Sequence, residues 1–242
     1  MNQSSVELIQ GDCLEVMKDM LDESVDLVFT SPPYNLGNAK KGSFYGGKDT
    51  KGDSISYSVY NDDMPAEKYI EWQHNVIKEL YRLLKPNGAI FYNHKPRIIE
   101  GVYDDRKNLL PLPIRQEIVW DRCGMHNFSG TFYATSTERI FIIAKDEWKP
   151  KKKYLGWGEV WRIPPETDNP HPAPFPLKLA KRVVVSASSI GDVVLDPFVG
   201  SGTTAIACIE TDRNFIGIDI DTKYLDMAKQ RAKEALMQPR LI

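Results

Sequence analysis

Asp26-Leu27-Val28-Phe29-Thr30-Ser31-Pro32-Pro33-Tyr34-Asn35 is the stretch from which the fold is read. A short, β-rich apolar run stops abruptly in a polar residue, two prolines and an aromatic. The run reads as a buried strand, and the prolines end it because they lack an N–H donor and fix φ. Such a strand delivers Ser31 and Tyr34 to the carboxyl edge of a sheet, where ligands bind in open α/β folds. Taken alone, the tetrad reads equally well as a proline-terminated strand with a packing tyrosine.

Upstream, Val6-Glu7-Leu8-Ile9-Gln10 reads as a first strand ending in Gly11-Asp12-Cys13. A helix over 13–20 follows, with Leu14, Met17, Met20 and Leu21 on one face. Strand, helix, strand predicts a right-handed parallel crossover, which puts Asp12 and Ser31 on the same edge. Asp12 there is either a ligand contact or a helix N-cap. Downstream, the pattern collapses over 36–63, where five glycines mix with Lys40, Lys41, Lys48 and Lys51 and with Phe44, Tyr45, Tyr57 and Tyr60. A loop of this length, starting directly after Tyr34, suits a mobile segment that closes over a nucleic-acid backbone.

An amphipathic helix is predicted over 65–84, then a turn at Lys85-Pro86-Asn87-Gly88 and a buried strand over 89–93. Strands over 114–120 and 138–144 flank a less regular segment that carries Arg122, His126 and Asn127. Lys149-Pro150-Lys151-Lys152-Lys153 follows. Basic runs are most often solvated surface, but beside aromatic and Asn-rich loops Lys151, Lys152 and Lys153 form a candidate DNA-backbone patch.

A second anchor lies late in the chain. Asp192-Val193-Val194-Leu195-Asp196-Pro197-Phe198-Val199-Gly200-Ser201-Gly202-Thr203-Thr204 reads as strand, glycine turn and helix, preceded by a helix over 177–186. From Gly200 to Ala205 the pattern is G-x-G-x-x-A, and Asp219 ends the next strand, 214–219, before a last helix over 223–237. A carboxylate so placed can accept hydrogen bonds from ribose hydroxyls, so a nucleoside-bearing cofactor is expected. The pattern alone permits NAD. Its late position argues otherwise, and so does Asp196, which would repel a pyrophosphate but suit the ammonium of S-adenosylmethionine.

Length and composition set the frame. A chain of 242 residues, 42% hydrophobic, predicts one large α/β core and a single domain over 1–242. A formal net charge of −2 gives no global case for a polyanion partner, so any nucleic-acid surface must be local. The cysteines, Cys13, Cys123 and Cys208, are three in number with no CxxC pair, which argues against a zinc site or disulfide framework and suits a reducing cytoplasm. No basic-then-apolar leader opens the sequence and no window approaches a membrane span. The expectation is a cytoplasmic protein with no metal.

Together the motifs carry a resemblance. Ser31-Pro32-Pro33-Tyr34 resembles the catalytic motif of DNA amino-methyltransferases, and Asp196 to Thr204 resembles their cofactor motif. Asn169-Pro170-His171-Pro172-Ala173-Pro174-Phe175-Pro176 is similar to the segment preceding that motif in the same family. The order, catalytic motif first and cofactor motif last, resembles the circularly permuted class called beta. That resemblance implies a doubly wound, mostly parallel Rossmann-like α/β sheet, with 121–168 as a target-recognition insertion. It implies S-adenosyl-L-methionine as cofactor, with Phe198, Gly200, Ser201, Gly202 and Thr203 at the methionine end and Asp219 at the ribose. Asp12, with Cys13 beside it, would reach the adenine; His171, Ala173 and Phe175 would line the methionine-side wall. Glu117-Ile118-Val119-Trp120 looks like the strand supporting a flipped base.

The implied reaction is methylation of an exocyclic amine, cytosine N4 favoured over adenine N6 because Ser-Pro-Pro-Tyr tends to accompany the former. Ser31 Oγ and the Pro32 carbonyl would accept the amine's hydrogens, and Tyr34 would stack on the extruded base. Double-stranded DNA is the implied partner; a homodimer and a cognate restriction endonuclease are left open. Two other readings compete. One is the same chemistry on RNA or a protein amide, where relatives carry Asn-Pro-Pro-Tyr and place the cofactor motif first. The other is an NAD-binding or non-catalytic Rossmann protein, which leaves Ser31 to Tyr34 unexplained.

Overall fold

The computed structural model describes residues 4–35, 63–126, 131–166 and 175–238. Its first unit is strand β1 (Val6–Gln10), helix α1 (Cys13–Lys18) and strand β2 (Val25–Thr30), and every residue of β2 is buried. Helix α2 (Ala66–Leu83) leads into β3 (Leu84–His94), followed by a small hairpin of β4 (Arg97–Ile99) and β5 (Val102–Asp104). Next come β6 (Gln116–His126), β7 (Thr135–Ala144) and β8 (Val160–Arg162). The chain closes with α3 (Leu177–Ala187), β9 (Val193–Asp196), α4 (Thr203–Glu210), β10 (Asn214–Asp219) and α5 (Thr222–Met237).

Eight strands form one sheet in the order β1-β10-β9-β2-β3-β7-β6-β8. The first five run parallel, whereas β7 is antiparallel to both β3 and β6. Side chains alternate between the two faces. Leu27, Phe29 and Phe91 pack with α3 and α4, while Val28, Ile90 and Tyr92 pack with α1 and α2. A mostly parallel sheet covered on both faces is the doubly wound arrangement expected, and its strands are apolar throughout for that reason.

The chain turns one way from β9 to β10 and the other way from β2 to β3. The reversal falls between the adjacent strands β9 and β2. The carboxyl ends of β1, β10, β9, β2 and β3 therefore share one edge, and the crevice between β9 and β2 is its switch point.

The range expected as a target-recognition insertion, 121–168, shares strands with the main sheet. Residues 121–126 continue β6, and the same range contributes β7 and β8 to the main sheet. The turn at Lys85 to Gly88 lies within β3 as a register shift against β2 between Val25 and Leu27. Among the described residues, no helix is long and apolar enough to cross a membrane, and no cluster of His, Cys, Asp or Glu could hold a metal ion.

Candidate active site

The site is built from two strand ends tied together. Thr30, the last residue of β2, donates its hydroxyl to Asp196 Oδ1 at the end of β9, at 2.7 Å. Asp196 also accepts from the Phe198 amide at 3.1 Å and from the Thr204 hydroxyl at 2.7 Å. Burial pushes its carboxyl up to about 6, and these hydrogen bonds oppose the rise. With 1% exposure, Asp196 braces the glycine turn from inside. That corrects its expected place facing a cofactor ammonium.

The turn itself fits a close-approaching ligand. Gly200 and Gly202 have φ of 49° and 83°, and a Cβ on Gly202 would meet the Ala228 Cβ at 2.9 Å. Arg231 of α5 donates to the Ser201 carbonyl at 2.5 Å and to its hydroxyl at 3.0 Å. Ser201 is 4% exposed, so its side chain anchors the turn to α5 instead of facing the crevice. Thr203 opens α4 with a buried hydroxyl that has no hydrogen-bond partner among the described residues. An orphaned donor at a helix start beside a side-chain-free turn suits a carboxylate such as that of a methionine moiety.

Asp219 takes the Gly200 amide on Oδ2 and the Asp221 amide on Oδ1, each at 2.9 Å. Burial raises its carboxyl above the usual range, while the backbone donors pull it down. Its carbonyl accepts from Gly11, so Asp12 stands beside it at the end of β1. Asp12 is exposed and caps α1, accepting from the Leu14 and Glu15 amides at 2.9 and 3.2 Å. Cys13 is buried, and desolvation with Asp12 nearby pushes its thiol up to about 12. It is a packing residue there.

Two aromatic contacts flank this crevice. Phe198 meets Trp72 of α2 at 5.6 Å between ring centroids, and Phe175 meets Phe29 at 4.6 Å. Trp72 reads in the sequence only as part of an apolar helical face. His171 and Ala173 lie outside the described residues, as do Lys40, Lys41, Lys48 and Asn127.

The tetrad is clamped on all sides. Tyr69 of α2 donates to the Pro33 carbonyl at 2.7 Å, and Arg97 donates to the carbonyls of Tyr34 and Asn35. Asn35, at φ 54°, uses its side-chain amide to hold both the N–H and the carbonyl of Met64, at 2.7 and 2.8 Å. The Tyr34 ring stacks on His94 at 4.5 Å with a 29° interplanar angle. His94 is fully buried and sits within 3.3 Å of the Tyr69 hydroxyl. Desolvation, then the nearby Arg106 charge, holds its imidazole well below its ordinary value, so it is a neutral platform.

Three side chains converge on Ser31 and Tyr34 that the sequence did not single out together. The Ser31 hydroxyl lies 2.9 Å from that of Tyr34. Tyr34 donates to Glu138 Oε2 at 3.2 Å, and Asn93 Nδ2 donates to the same oxygen at 2.8 Å. Arg122 holds the other oxygen at 3.1 Å. Glu138 opens the inner part of β7 and is 6% exposed; Asn93 is at the end of β3 and 1% exposed.

The expected DNA contacts fare differently. Arg122 is committed to Glu138 and stacked over Trp120 at 5.6 Å, which makes it an internal strut. His126 pairs with Thr135 at the far end of β6, on the edge where the parallel strands end. Lys151, Lys152 and Lys153 are on the opposite edge. The Lys151 amide donates to Ser186 at the end of α3, and a cavity of about 390 Å³ there is lined by Lys151, Lys153, Ser189, Ile190 and Arg213. Those last residues precede β9 and β10, so the run cannot line the crevice that holds Ser31. Glu117 to Trp120 is separated from β3 by β7, and Trp120 is core, its indole donating to the Ile163 carbonyl at 2.7 Å. From there it supports the sheet.

Comparison with known proteins agrees with this architecture. The chain is 32% identical over 270 residues to the type II methyltransferase M.BglII of Bacillus subtilis, covering 93% of this chain and 68% of that one. It is 31% identical to M.HpaI of Haemophilus parainfluenzae over 93% and 73% of the two chains. Among solved structures, the Thermus thermophilus protein TTHA0409, assigned as a DNA modification methylase and complexed with S-adenosyl-L-methionine, superposes with a TM-score of 0.69. That match has 26% identity and covers 96% and 94% of the two chains. The cytosine-N4-specific PvuII DNA methyltransferase shares the fold, with a TM-score of 0.72 at 19% identity. The model of the DNA methylase family N6_N4_Mtase matches residues 25–230, from the start of β2 to the middle of α5, and the chain belongs to that family.

Proposed function

We propose that the chain binds S-adenosyl-L-methionine in the crevice between β9 and β2 and methylates the N4 of a cytosine extruded from duplex DNA. The observation that carries this reading is the tie between Thr30 and Asp196, which sets Ser31, one residue beyond Thr30, beside the strand end that leads into the glycine turn. The orphaned Thr203 hydroxyl would hold a carboxylate, and the Asp219 carboxylate a ribose. Bound there, the cofactor supplies an electrophilic methyl group.

An exocyclic amine is a poor nucleophile because its lone pair is delocalised into the ring. Ser31 Oγ and the Pro32 carbonyl, accepting its two hydrogens, favour a tetrahedral nitrogen with an exposed lone pair. The Tyr34 ring, backed by His94, offers a rigid face for the extruded base. The segment over 36–63, all but its last residue outside the described residues, would be the one to face the DNA. The order of motifs along the chain supports the circularly permuted class.

A second reading has its own support: the chain is 28% identical over 259 residues to the DNA adenine methyltransferase YhdJ of Escherichia coli, so adenine N6 is the alternative target. Mass spectrometry of nucleosides from DNA treated with the enzyme and S-adenosylmethionine decides. N4-methyldeoxycytidine is the expected product, and N6-methyldeoxyadenosine alone would transfer the assignment to adenine. Ser31→Ala should lower turnover by roughly 10–100-fold at unchanged cofactor affinity, the cost of one hydrogen bond to a charge-developing group.

A further inference from the structure

We infer that Glu138 is a positioning residue that fixes Ser31 as a hydrogen-bond acceptor, acting through the Tyr34 hydroxyl. This rests on the proposed role of Ser31 and extends it to a residue 107 positions away in sequence. A serine hydroxyl is both donor and acceptor, and only its acceptor side helps to activate an amine. Something must therefore occupy its hydrogen.

The network does so. A carboxylate can only accept, so the Tyr34 hydroxyl, 3.2 Å from Glu138 Oε2, points its hydrogen at that oxygen. The Asn93 amide aims Nδ2 at the same oxygen at 2.8 Å and at the Tyr34 oxygen at 3.1 Å. Turning that amide over would set its oxygen against the carboxylate. It therefore keeps this orientation although its Oδ1 is buried without a partner among the described residues. With the tyrosine hydrogen committed, the 2.9 Å contact between Tyr34 and Ser31 requires Ser31 to donate. Its lone pairs are then available to an incoming amine, apart from a long 3.4 Å approach by Asn93. Arg122 on the far oxygen keeps the carboxylate in place.

Glu138→Gln reverses the chain of donors. Arg122 demands an acceptor, so the glutamine carbonyl faces it and the NH2 faces Tyr34. The tyrosine hydrogen then has two acceptors, Ser31 at 2.9 Å and the oxygen of an Asn93 amide free to turn over, and on Ser31 it blocks a lone pair. The test is steady-state methylation by the purified full chain carrying Glu138→Gln, Tyr34→Phe, or both, with thermal melts to verify folding. Glu138→Gln should lower kcat by about tenfold or more with little change in the KM for DNA or cofactor, the scale of one misdirected hydrogen bond.

Tyr34→Phe keeps the stacking ring and frees the serine, so its loss should be smaller. Because it also removes the blocking hydrogen, adding it to Glu138→Gln should restore kcat to the Tyr34→Phe level. A double variant whose loss is the product of the two single losses overturns the inference, as does a Glu138→Gln enzyme with normal kcat. If Ser31→Ala proves fully active, the role of the serine itself falls. If Ser31→Ala is inactive while Glu138→Gln is normal, only the part assigned to Glu138 fails.

Discussion

Asp219 has two loads to bear, and a substitution separates them. Both its oxygens accept backbone amides, from Gly200 and Asp221, which fixes the glycine turn. Each oxygen retains a further lone pair, and these are what a ribose would meet. Asp219→Ala should weaken S-adenosylmethionine binding by roughly 1–3 kcal/mol, the cost of leaving buried partners unpaired. Calorimetry on a folded variant with unchanged affinity would remove Asp219 from the site. Asp219→Asn, which still accepts one amide, should lie between the two.

At the scale of elements, position on the sheet decides which charges can touch DNA. The Lys151 to Lys153 segment is anchored to the carboxyl end of α3, at the edge where the parallel strands begin. Neutralising the three lysines together should leave the slope of log DNA affinity against log salt unchanged, whereas each lost phosphate contact would lower it by about one. A flatter slope would mean that DNA wraps to the far edge.

The same scale explains what was legible in the sequence. The strands ending at Thr30, Asp196 and Asp219 were readable because apolar runs meet prolines, glycines or carboxylates at their carboxyl ends. Strands β4, β5 and β8 have three residues each, too few to show a period. The extension of β6 was hidden by Cys123, which sits at φ 58°, and by Gly124 after it; both read as loop. The role of Glu138 is not legible in the sequence because no local spacing links a residue at the start of an antiparallel strand to Ser31. Their neighbourhood exists only once β7 pairs with β3. The place of the lysine run is not legible for the converse reason: composition reports charge but not the edge on which it lies.

For the whole molecule, Asp196 couples stability to pH. Its folded value of about 6 stands above the ordinary 3.8, so the native state holds this proton more tightly than the unfolded chain. Its contribution is greatest below about pH 4 and is lost as pH rises through about 6. Asp196→Asn carries no such charge, so the stability of the variant relative to the wild type should increase from about pH 4 to about pH 7. Urea melts that show a constant difference across that range would mean the carboxyl is not raised.

The pairing of β1 with β10 has a consequence for the order of the chain. Helix α5 leaves β10 at the carboxyl edge and packs on β1, returning towards the edge where β1 begins. Met237 and Val6 thus approach the same side of the sheet, and β10, α5 and β1 have the layout of one more β-α-β unit lacking only its connector. A gene joined at that point and cut within another surface connection should encode the same sheet, with β2 and β9 still neighbours and only their order of synthesis on the ribosome exchanged.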